Sequence, residues 1–275
     1  MKKIILLLSV LILALTSCSK NEDEPVVPID QSVNILLKRT VTTRGSVVTT
    51  DVYSYNERKI DKIVSNDGII NSETRFTYTG DLITKIEVYS NTVLKSKKEY
   101  SYQNDKMTQI ITYDYNGTQT TKKRMNYVHD VVNVNQERAH YEIHSINMSN
   151  SQETLYTDGD IYFSGREITS QLNTDYPVVS GRLIDSWSEY SHDFKKNPTI
   201  NIIGYNKLLD NVDGTSTANI ANKKLTADAY VNGVWGTEIT NYKRTYKYND
   251  LLFPYERKIF TKNVTLDNTT QYFYE

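Results

Sequence analysis

The chain has 275 residues, with 33 acidic side chains against 32 basic, one cysteine, and 22 tyrosines against 6 phenylalanines. A balance this close to neutral offers nothing to draw in nucleic acid electrostatically. A single cysteine excludes an internal disulfide framework, so any exported domain must rest on its own packing.

Lys2 and Lys3 open the chain, an uncharged run follows from Ile4 to Leu15, and Thr16 and Ser17 lead to Cys18. A charged start, a short apolar run and small residues before a cut predict a cleaved signal peptide over residues 1–17, too short for a lasting span. Leu15-Thr16-Ser17-Cys18 resembles the bacterial lipoprotein signal. That resemblance implies a Cys18 thiol alkylated by diacylglycerol and an outer-membrane anchor of two or three acyl chains, palmitate among them, which hold where one would not. Residues 18–30 are polar and interrupted by Pro25 and Pro28, and they read as a tether. The acids Glu22, Asp23 and Glu24 resemble the export signal of Bacteroidota surface lipoproteins, which implies cell-surface exposure; a solvated acidic linker is the alternative.

Residues 31–275 are expected to form one mostly β domain. Tyr53-Ser-Tyr55, Phe76-Thr-Tyr78 and Tyr100-Ser-Tyr102 repeat an aromatic pair about every 24 residues. An apolar residue follows each second aromatic at +5 (Ile60, Ile83, Met107) and another at +8 (Ile63, Ile86, Ile110). Period two puts each aromatic pair on one face of a strand, and the offset of three calls for a turn or face switch. Asn66-Asp67-Gly68, Gly80-Asp81, Ser90-Asn91, Asn104-Asp105 and Asn116-Gly117 supply turns that accept positive φ. Looser units are expected at Met125-Asn-Tyr127 with Val132, Ile161-Tyr-Phe163 with Ile168, and Tyr246-Lys-Tyr248 with Phe253, and Tyr272-Phe-Tyr274 ends the chain. The predicted fold is an antiparallel, curved β-meander of hairpin repeats, with one short helix over Asn206 to Val212.

The units Tyr-x-Tyr-x-x-x-x-Ile-x-x-Ile resemble the degenerate tyrosine (YD-like) repeats of RHS-type proteins, in the short lipoprotein form found in Bacteroidota. Tyr190 to Pro198 and Tyr248-Asn249-Asp250 before Phe253-Pro254 extend the resemblance, with His192 standing where a second tyrosine belongs. The family is largely uncharacterised, so the resemblance implies fold and location more than activity.

Few constellations suggest chemistry. His140, Glu142 and His144 would share one face of a strand and could hold zinc, or simply meet water while Tyr141 and Ile143 point inward. Asp210-Asn211-Val212-Asp213-Gly214 has a calcium-loop look, yet Leu209 and Ile220 occupy ligand places, so it reads as a turn. Asp158-Gly159-Asp160 reads as a hairpin tip before a strand. No nucleophile elbow, phosphate loop or dinucleotide fingerprint occurs, so no catalytic residue, cofactor or metal is expected. Trp187 and Trp235 are candidate ligand contacts, with core packing as their other reading. The expected function is a non-catalytic lipoprotein, a binding or structural module for a glycan or an envelope protein. The alternatives are a carrier cradling a lipid on an apolar concave face and a glycan hydrolase using two unassigned acids.

Overall fold

A computed structural model describes residues 35–176, 184–231 and 234–275; the leader, Cys18 and the tether lie outside the described residues. The strands are β1 (Leu37–Arg44), β2 (Val47–Asn56), β3 (Lys59–Asn66), β4 (Asn71–Thr79), β5 (Leu82–Ser90), β6 (Val93–Gln103), β7 (Lys106–Asn116) and β8 (Gln119–Asn133), then β9 (Gln136–Ile146), β10 (Glu153–Ser164), β11 (Glu167–Asp175), β12 (Ile184–Lys196), β13 (Ala218–Val231), β14 (Val234–Tyr248), β15 (Pro254–Thr261) and β16 (Thr265–Tyr274). Each pairs with the next, and β1 pairs antiparallel with β16, so the described residues form a closed sixteen-strand barrel. The antiparallel meander of hairpins expected from the repeats is present, and it closes into a ring rather than ending as a curved sheet.

The repeat is a bulged hairpin. Tyr55 faces Ile60, Tyr78 faces Ile83, Tyr102 faces Met107 and Phe163 faces Ile168, while the aromatic two residues earlier in the first three units faces the +8 residue. One residue is extra in each odd strand: Asp61, Thr84, Thr108 and Thr169. A single extra residue turns an offset of three into the same face, which is the face switch the spacing demanded. Three of these bulges carry threonine, and the hydroxyls of Thr84, Thr108 and Thr169 donate to the carbonyls of Thr77, Ser101 and Tyr162 across the hairpin at 3.4, 3.2 and 3.2 Å.

A bulge leaves backbone groups without ladder partners, and the next unit's aromatic supplies them. Tyr55 donates to the Leu37 carbonyl, Tyr102 to that of Ile83, Tyr246 to that of Ile220 and Tyr274 to that of Pro254, at 2.6 to 2.9 Å. The Tyr78 hydroxyl accepts from the Ile60 amide. In β8 the same task falls to His129, whose Nε2 lies 2.7 Å from the Met107 carbonyl. The unit expected at Met125-Asn-Tyr127 is therefore shifted by two residues: Tyr127 is its first aromatic and His129 its second, and Val132 is not its +5 partner. His192, shorter than tyrosine, reaches its bulge through Ser216, whose Oγ accepts the Ile168 amide.

A ring this wide encloses more space than facing side chains fill. Residues 197–217, between β12 and β13, occupy that space as a plug. Tyr78 of β4 donates to the Ile203 carbonyl, Lys98 of β6 pairs with Asp210, Glu167 of β11 takes the Thr217 hydroxyl, and Arg244 of β14 pairs with Asp213. Only a segment inside the ring reaches strands on all sides, so the residues it meets mark the inner wall. Leu208 and Leu209 of the plug join Ile83, Tyr100, Met107, Ile110, Tyr127, Tyr141 and Ile168 in one apolar cluster. The helix expected over Asn206 to Val212 is corrected: the plug holds a 3-10 turn, Tyr205–Lys207, and one helical turn, Val212–Thr215. Gly204 enters it at φ 74°, where a Cβ would strike the Asp81 carbonyl.

Replacing Tyr102 by Phe strips the Ile83 carbonyl of its donor and should cost about 1–3 kcal/mol. Tyr113→Phe, on the opposite face, should cost less than about 0.5 kcal/mol. Urea unfolding followed by circular dichroism measures both, and equal losses would refute the interlock.

Candidate functional site in the barrel lumen

Alternation from the inner wall assigns the outer one, and it receives several residues singled out in the sequence. Trp187 faces Leu172 and Thr226 on the outer wall, and Trp235 of β14 stands on the same wall. At 40% and 50% exposure, neither tryptophan is a core residue. Asn232 and Gly233, which precede Trp235 and read as a turn pair, lie outside the described residues. Cys18 does too.

His140, Glu142 and His144 share the outer face as expected, with Tyr141 and Ile143 turned inward, but they do not converge. His140 Nδ1 lies 3.0 Å from Asp160 and His144 Nε2 lies 3.1 Å from Glu142. Among the described residues no group of three His, Cys, Asp or Glu side chains is placed to hold a metal ion. Asp158-Gly159-Asp160 is not a hairpin tip. It lies within β10, where a Cβ on Gly159 would collide with the Tyr141 ring and the Leu172 carbonyl, so the glycine makes room for an inward tyrosine. The acids of Asp210 to Gly214 point apart: Asp210 takes the Lys98 ammonium at 2.7 Å, and Asp213 takes Arg244.

That second contact marks a site the sequence reading missed. A cavity of about 200 Å³ lies between the plug and the inner wall of β13 to β16, β1 and β2, lined in part by Arg244, Arg257, Asp213, Asp51, Tyr246 and Tyr272. Arg244 and Arg257 stand on neighbouring strands, and Asp213, carried on the plug's helical turn, lies 2.8 and 3.5 Å from them. Arg257 also donates to Thr270 at 3.3 Å. Across the cavity, Asp51 accepts the hydroxyls of Thr40 and Ser65. The signal was present in β14, where Tyr242, Arg244, Tyr246 and Tyr248 alternate and set one arginine on the tyrosine face. Nothing local announced that the plug would bring an acid to it. The cavity thus combines guanidinium groups, carboxylates, hydroxyls and aromatic rings, which suits a small polyhydroxyl or charged ligand.

The inner tyrosines give the lumen a titratable character. Burial pushes the Tyr78 and Tyr141 hydroxyls up to about 12, and it raises those of Tyr53, Tyr55, Tyr100 and Tyr246 further.

No family model and no curated protein matches the chain. Among solved structures, a porin-like protein from Bacteroides vulgatus is similar to it at 13% identity and a TM-score of 0.55, over 87% of this chain and 98% of that one. A porin-like protein from Bacteroides uniformis is similar at 10% identity and a TM-score of 0.42, over 87% of this chain and 96% of that one. The first likeness shows a shared barrel fold.

Because the raised tyrosines stay neutral in the folded state, their contribution is complete below pH of about 10 and is lost as pH rises through about 12. Stability should hold flat up to pH of about 10 and then fall, with tyrosinate absorbance and loss of β-signal rising together. Tyrosines that all ionise near pH of about 10 while the barrel stays folded would contradict this.

Proposed function

We propose that this chain is a non-catalytic lipoprotein of the outer membrane, anchored through Cys18 and exposed at the cell surface, whose barrel stands in water as a binding module for a glycan or an envelope protein. The observation that carries this reading is the charge on the outer wall. One row of paired outer positions runs Lys62, Arg75, Glu87, Lys97, Tyr113, Lys122 from β3 to β8. Lys224 with Glu189 and Lys247 with Glu256 continue the pattern on the far side at 3.1 and 3.0 Å.

A barrel wall that meets lipid is apolar outside and polar inside, and each Lys or Arg at the bilayer midplane costs about 2–4 kcal/mol. Here lysine, arginine and glutamate stand on the outer wall beside Trp187 and Trp235, and tyrosine, isoleucine and leucine pack inside. The porin-like name of the similar structure speaks for a barrel of the cell envelope, and the charged wall argues for tethering rather than insertion. The described chain enters β1 beside the plug, where Leu36 and Glu275 exchange backbone hydrogen bonds at 3.1 Å and the Asn201 side-chain amide donates to the Ile35 carbonyl. A lipid carrier has less support, because Ile202, Leu208 and Leu209 already cover the apolar concave surface.

A chain beginning at Ser19, made without leader or lipid, should be soluble and monomeric without detergent. In cells, Cys18→Ala should leave the membrane fraction or remain unprocessed. A Ser19 chain that needs detergent, or a correctly cleaved Cys18→Ala product that stays with the membrane, would overturn the tethered reading.

A further inference from the structure

We propose that the lumen cavity is an oxyanion site, built by Arg244 and Arg257 beside Lys223, to receive the carboxylate or sulfate group of an acidic sugar. The proposal names the ligand class of the binding module proposed above, and it rests on that reading for its sugar but on the side chains alone for its anion.

The three cations stand on the inner wall of consecutive strands. Lys223 of β13 faces Tyr242 of β14, Arg244 follows two residues along β14, and Arg257 of β15 faces Tyr246. Arg244 and Arg257 share one carboxylate, Asp213, and Lys223 stands beside them outside the cavity lining. Lys223 has no acid within ion-pair distance among the described residues; its ammonium lies 5.8 and 6.0 Å from the ring centres of Tyr190 and Tyr242. Burial and the neighbouring Arg244 lower its proton affinity, and Asp213 opposes them. The other acid lining the cavity, Asp51, is occupied by two hydroxyls on the opposite wall.

The donors are also in surplus. The Nε–H groups of both Arg244 and Arg257 are buried without an acceptor. A buried donor left unpaired costs about 1–3 kcal/mol, more when charged, and a planar oxyanion is the acceptor that matches a guanidinium edge. Two such orphans on adjacent strands, near the unpaired Lys223 ammonium, define a place where an acceptor is missing. The hydroxyls of Thr40 and Thr42 and the aromatic faces of Tyr246 and Tyr272 line the same cavity and are suited to a sugar ring.

The test uses the full lipoprotein in neutral detergent micelles, with glucuronate, inorganic sulfate and glucose as probes at constant ionic strength. Calorimetric titration should show saturable binding of glucuronate and sulfate, with glucose at least about tenfold weaker than glucuronate. Arg257→Gln should weaken glucuronate about tenfold or more. Lys223→Met, which removes an ammonium that makes no ion pair, should weaken it in the same direction while keeping the fold, and Lys247→Gln on the outer wall should leave it unchanged. Glucose and glucuronate bound alike, or variants that bind as well as the parent, would overturn the anion site and leave a neutral-glycan module standing. Binding of none of the three would overturn the site and leave the envelope-protein reading of the module.

Discussion

The bulged units of this barrel each contain a place where their own strands cannot satisfy the backbone. The extra residue at each bulge puts both aromatics and both apolar residues on the inner wall, and in doing so it strands a carbonyl or an amide near the rim. The tyrosine hydroxyl of the next unit fills that vacancy. The interaction explains why the repeat uses tyrosine rather than phenylalanine: the ring supplies inner packing and the oxygen supplies a partner eighteen to twenty residues back. It also links neighbouring units by something other than the strand ladder, which suits a barrel without disulfides.

Once the apolar side of the sheet is turned inward, the rest of the architecture is constrained. The outer wall carries charged side chains, some of them ion-paired across strands. The interior must be filled, and the chain does so with its own longest described connection. The plug has little regular structure because the wall dictates its path: Leu208 and Leu209 seal the apolar side, and its acids meet cations offered by β6, β14 and β15. A polar cavity then remains between the plug and the wall.

Much of this was legible in the sequence because the signals are local. Period-two alternation placed the aromatics, and turn residues such as Gly80, Asn91, Asn104 and Gly117 do adopt positive φ at hairpin ends. Closure was not legible, since it depends on pairing residues at opposite ends of the chain. The short helix expected over Asn206 to Val212 is replaced by two separate turns because the plug's conformation answers to partners scattered over many strands. His129 escaped notice because only its distance to Met107 reveals that an imidazole stands in for a tyrosine. The cavity was half visible: Arg244 sits in the tyrosine register, whereas its carboxylate partner arrives from the plug.

The seam between β1 and β16 repeats the internal units closely. Tyr274 faces Leu37, Lys38 is the extra residue, and Arg39 faces Phe273, so one repeat is divided between the two ends of the polypeptide. The ring thus has no terminal strand in the ordinary sense. Shortening the chain at its C-terminal end would uncover two strand edges at once, those of β1 and β15, each with a full row of unpaired amides and carbonyls. Edges of that kind recruit other chains. The last few residues therefore guard the solubility of a β-rich protein.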